Sequence, residues 1–102
     1  MNAAWQDKLE WTIGELGRLH NRYPDDRLIV SAISQVQYLL ALAKGTEPDD
    51  SSLEKIDIGY LAMYSLADIV SYDLSVAMCD ISDKVRRDLR RQGRRLNIER
   101  QE

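Results

Sequence analysis

The side chains that could do chemistry in this sequence are one histidine, one cysteine and seventeen carboxylates. His20 falls on an apolar helical stripe, where a packed, hydrogen-bonded imidazole accounts for it. A zinc site needs several nitrogen or sulfur ligands, and neither a second histidine nor a cysteine pair is present. Cys79 lies inside a helical run. A nucleophilic thiol needs a base in reach, and His20 is the single histidine that could serve. Two carboxylates could do acid–base work. Several of them, however, stand at helix starts, where local backbone N–H groups explain them. The five glycines are scattered and form no phosphate-cradling loop. The sequence therefore predicts no catalytic residue, no cofactor and no metal, in a protein that is not an enzyme.

Charge is unevenly placed. Residues 84–102 carry eight basic and three acidic side chains, a net +5, whereas residues 1–83 carry six and fourteen, a net −8. The run "KVRRDLRRQGRR" at 84–95 is dense enough in arginine to contact phosphates. It has no interleaved aromatics for base stacking, and the acidic remainder would repel a duplex. A solvated helical face with favourable charge at a helix C-terminus explains the run better than nucleic-acid binding. The acidic body instead suits a basic protein partner.

The chain of 102 residues is 44% hydrophobic and 30% charged, as expected of one globular domain. No apolar run approaches the ~20 residues of a membrane span, and no secretory leader is recognisable at the start. A lone cysteine allows no internal disulfide and fits a reducing cytoplasm.

Periodicity predicts an all-α fold, a compact bundle of four main helices plus a short helical turn. The first helix covers residues 3–21, capped by Asn2, with Trp5, Leu9, Ile13, Leu16, His20 and Tyr23 on its buried stripe. Pro24 closes it. The second covers 26–44, capped by Asp25 or Asp26. Leu28, Ile29, Ala32, Ile33, Val36, Leu39, Leu40 and Ala43 form its inner face, and Gly45 ends it. "SSLE" at 51–54 reads as a capping box, with Ser51 as cap and Glu54 reaching back. Asp57 caps a third helix over 58–69, apolar nearly all round and so expected to be the central, most buried one. Ser71 caps a last helix whose stripe runs through Leu74, Met78, Ile81, Val85 and Leu89. The expected domain is 1–89, with 90–102 a basic helical tail that frays or projects.

Two features are not needed by a core. Ser31, Gln35 and Tyr38 share a flank of the second helix. Trp11 lies about 160° from the first helix's stripe, at ~100° per residue, beside Gly14 and Arg18. It is either an interface anchor or covered by the last helix.

In chain order, "RYP" after helix one, "SAISQVQYL" in helix two, "LEKIDIG" before helix three and an acid in the last helix's first turn form a pattern. It resembles the small all-helical immunity proteins of bacterial type VI secretion, over about residues 5–85. The resemblance matches Arg22, Tyr23 and Pro24 at the turn, Ser31, Ala32, Gln35 and Tyr38 in helix two, and Gly59 and Asp68 in helix three. Tyr64 and Ser65 stand where many members of that family carry charge, and the arginine-rich tail lies outside the pattern. The resemblance implies a cytoplasmic bacterial protein that binds a secreted toxin acting on nucleotides, by NAD(P)+ hydrolysis or similar chemistry, and occludes its active site. The partner would be a toxin domain with a basic nucleotide-binding cleft. The expected toxin-binding residues are Gln35, Tyr38, Glu54, Asp57, Tyr60, Tyr64 and Trp11. No membrane partner is expected; the alternative reading is a small helical nucleic-acid-binding or regulatory protein that uses the arginine-rich C-terminal helix, and a homodimer of the free protein is left open.

Overall fold

The computed structural model describes residues 3–101, with the side chains of 100 and 101 excepted; the expected cap Asn2 lies outside them. Four helices carry the fold: α1 (Ala3–Arg22), α2 (Arg27–Lys44), α3 (Ile58–Tyr60, continuing as a π-helical turn, Leu61–Ser65) and α4 (Tyr72–Arg91). Two 3₁₀ turns, Ser51–Lys55 and Asn97–Gln101, complete it, and there is no strand among the described residues. The all-α expectation holds.

The helix ends are set by local chemistry. Asp26 Oδ1 accepts from the Leu28 and Ile29 N–H groups at 2.9 and 3.4 Å, filling donors that the first turn of α2 leaves open. Gly45 closes α2 at φ 78°, a left-handed conformation that glycine enters without cost from a Cβ. Ser71 Oγ accepts from the Leu74 N–H at 3.1 Å to start α4. α1 and α2 form an antiparallel hairpin, tied at its open end by Gln6 Nε2 on the Ala43 carbonyl (3.4 Å). α4 returns along α1, with Lys8 paired to Asp80 (3.2 Å) and Lys84 over the Trp5 ring (5.0 Å). The core between them holds Leu9, Leu16, Ile29, Val36, Met78, Ile81 and Leu89, all fully buried or nearly so.

The α2 stripe is narrower than its pattern suggests: Ile29, Ala32, Val36 and Leu39 are buried, but Leu28 is 42% exposed. Tyr23, at the end of the α1 stripe, is likewise exposed. His20 is half-buried, and its Nδ1 has no hydrogen-bond partner, contrary to the satisfied imidazole expected.

Three larger expectations are corrected. The capping box at 51–54 does not form: the Ser51 N–H donates to Asp49 Oδ1 (2.9 Å), and Glu54 accepts from Arg94 Nε (2.8 Å). The third helix is neither long nor central. Ile58, Gly59, Leu61, Ala62 and Leu66 face the core, but among the described residues no element covers its outer side, where Met63 and Tyr64 are 61% and 65% exposed.

The third correction concerns the tail, which over its described residues folds back onto the body instead of projecting. α4 stops at Arg91, Gly93 turns the chain at φ 71°, and Leu96 returns to the core with no exposure. Burial of one leucine outweighs the solvation of the charged residues around it, because these find partners on the way. Arg94 donates to Glu54 and to the Asp50 carbonyl (3.0 Å), and Glu99 pairs with Arg86 (3.3 Å).

Candidate protein-binding groove

Where α3 crosses α4, Gly59 meets Ser82. A Cβ at position 59 would lie 2.8 Å from Ser82 Cβ, so the two backbones approach to a distance that only glycine permits. This crossing sets one wall of a groove of about 480 Å³. Asp57, Tyr60, Met63 and Tyr64 come from α3 and its approach, Cys79, Ser82, Asp83 and Arg86 from α4, and Ile98 and Glu99 from the returning tail. The π turn shapes the rim. The Leu66 N–H donates to the Leu61 carbonyl at 2.7 Å, an i→i+5 bond that inserts an extra residue; such turns recur at functional sites. On this rim the Tyr60 and Tyr64 rings lie 4.7 Å apart at 37°. With Met63 they form an apolar ridge open to solvent.

The expected binding residues divide. Asp57, Tyr60 and Tyr64 line the groove. Gln35 lies behind it: its Nε2 donates to Asp57 Oδ1 (2.6 Å), and its Oε1 accepts the Asp57 N–H (2.9 Å). Asp57 is therefore held by this two-point clasp and not by a side-chain cap of α3. Ser31 Oγ also accepts from Gln35 (3.2 Å). Tyr38 donates its hydroxyl to the Asp49 carbonyl (2.7 Å), and burial, then the nearby acids, raises its pKa. The flank of α2 thus anchors the connection from Asp49 to Asp57. Glu54 is engaged by Arg94. Trp11, on α1, is 45% exposed and is not among the groove residues; the last helix does not cover it fully.

Met63, Asp83, Arg86, Ile98 and Glu99 were not anticipated. Met63 belongs to a stretch expected to be buried, Asp83 and Arg86 lie on α4 outside its apolar stripe, and Ile98 and Glu99 reach the groove because the tail turns back.

Comparison with family models, curated proteins and solved structures finds no match to this chain. The functional reading therefore rests on the groove itself. Burial, then Asp83 and Asp80, raises the Cys79 thiol pKa, which keeps it protonated and weakly nucleophilic at neutral pH. Among the described residues no three His, Cys, Asp or Glu side chains group as a metal site would require, and no helix is long and apolar enough to cross a membrane.

The basic stretch is largely self-neutralised. Lys84 and Arg91 pair with Asp88, Arg86 with Asp83 and Glu99, Arg90 with Glu99, and Arg94 with Asp50 and Glu54. Among the described residues of this stretch, Arg87 and Arg95 have no carboxylate partner.

The clasp gives a direct prediction. Gln35→Ala leaves a half-buried N–H and carboxylate without their partner, and should cost about 1–3 kcal/mol. Urea unfolding measures the loss, and the Asp57 amide should exchange faster with solvent. A variant with wild-type stability and Asp57 protection would show that the clasp contributes nothing.

Proposed function

We propose that the protein is an immunity-type inhibitor, which binds a secreted bacterial toxin in the cytoplasm and covers its nucleotide-binding cleft. The observation that carries this reading is the ridge of Tyr60, Met63 and Tyr64, exposed by 48%, 61% and 65%, beside a groove with three carboxylates. Exposed aromatics next to each other are what protein interfaces desolvate, and they supply most of the binding energy where they do. A toxin that takes anionic nucleotides presents a basic cleft, which the acidic residues would steer onto the groove. Inhibition on this reading is occlusion and requires no chemistry from the inhibitor. The pairing of most arginines in the tail weighs against the rival reading, a nucleic-acid binder, since a paired guanidinium contributes less to phosphate contact.

Co-expression with a toxin encoded by an adjacent gene tests the proposal. Growth should be restored, and the two proteins should co-purify as a one-to-one complex that no longer turns over its nucleotide. Continued killing by an expressed, folded toxin would remove the immunity assignment.

A further inference from the structure

The groove has a preference that its walls make legible. Its described lining contains three carboxylates, Asp57, Asp83 and Glu99, against one guanidinium, Arg86, an excess of two negative charges. Arg86 demonstrates what these walls accept. Its Nη1 donates to Asp83 Oδ1 at 2.6 Å while its Nε donates to Glu99 Oε1 at 3.3 Å, so one planar cation bridges α4 and the tail. Among the described residues, Asp83 Oδ2 and Asp57 Oδ2 receive no further protein donor. At the rim stand the two open tyrosine rings.

We propose that this groove takes an arginine side chain of the protein partner. The guanidinium would lie against a tyrosine face and donate to the open carboxylate oxygens, combining a cation–π contact with charge-assisted hydrogen bonds. Arginine fits better than lysine because its planar fork can stack and donate in two directions at once, whereas an ammonium offers a point charge. An acidic segment or a phosphate would meet like charge, and an aliphatic side chain would desolvate the carboxylates without pairing them. The inference rests on the reading of this chain as a protein-binding module and adds which chemical group enters the groove.

The test is an NMR titration of the full-length protein with a capped Gly-Arg-Gly peptide, alongside its citrulline and lysine counterparts. Citrulline keeps the arginine shape without the charge. Saturable shifts are expected at the Tyr60 and Tyr64 rings and the Asp83 amide, with binding of the citrulline peptide about tenfold weaker and of the lysine peptide intermediate. Tyr64→Ala should weaken the arginine peptide severalfold with an unchanged thermal midpoint, because the ring is mostly exposed. Asp83→Asn should also weaken the arginine peptide severalfold, by removing the charge that faces it. Absence of saturable shifts, shifts confined to another surface, or equal binding of the citrulline or lysine peptide would each overturn the assignment. A toxin complex that forms despite a failed titration removes this inference alone. A successful titration with no toxin complex removes the immunity reading and leaves the arginine site.

Discussion

Leu96→Ala should lower the free energy of unfolding by roughly 2–5 kcal/mol, the range for truncating a fully buried leucine. A domain of this size has about 5–15 kcal/mol in total, so the loss would be a third or more in many cases. The side chain is completely enclosed, five residues beyond the end of α4, in a segment whose other residues are mostly polar or charged. Its position is delivered by the left-handed turn at Gly93 and fixed by Arg94 on the Glu54 carboxylate and the Asp50 carbonyl. Those contacts are partly solvated, and exposed ion pairs are individually weak. The leucine is therefore the main anchor of the tail. Urea unfolding gives the number directly. A change below about 1 kcal/mol would mean that the tail docks through its arginines and that the leucine is incidental. The consequence reaches the groove, since Ile98 and Glu99 form part of its lining and are held only while the tail is docked.

The parts of this fold that were legible in the sequence are those decided within one or two turns of chain. Asp26, Ser71 and Gly45 each act on backbone groups two to four residues away, and their types announce the act. The parts that were not legible depend on partners far apart. Gln35 and Asp57 are 22 residues apart, Arg94 and Glu54 40 apart, and no periodicity records either pairing. Gln35 and Tyr38 stand out in the sequence as polar residues at the edge of a core. Their polar atoms are directed to the chain's own loop, which a helical wheel does not show. Leu96 and Ile98 did leave a trace: two apolar residues after a glycine in a charged segment mark a turn back to the core. The residues of 58–69 misled for a different reason. A helix apolar on all sides suggests a central position, but Met63 and Tyr64 face solvent while Ile58 and Leu61 face the core. Apolar residues on the outer side of a surface helix point to a second burial, against another molecule.

That second burial sets the functional prediction with the largest effect. If the proposed function holds, the double variant Tyr60→Ala, Tyr64→Ala should raise the Kd for the toxin domain by about a hundredfold to a thousandfold, at ~2 kcal/mol for each anchoring aromatic. The two rings touch, so their effects should be less than additive, and each single variant should account for more than half of the loss. Stability should change by no more than about 0.5 kcal/mol per site, because Tyr60 is 48% and Tyr64 65% exposed and the core beneath them is made by Ile58, Leu61 and Ala62. Calorimetric titration of the folded variants separates the two quantities. Trp11→Ala is the necessary comparison. Trp11 is a large aromatic exposed on α1, outside the groove's lining, and it would carry the binding energy if the partner docked on that helix. A loss of tenfold or less in the tyrosine variant, together with a larger loss at Trp11, would move the interface to that helix. The reverse order places the partner over the π turn, where the apolar ridge and the carboxylates act on the same ligand: the ridge supplies the desolvated contact, and the carboxylates select a basic segment to occupy it.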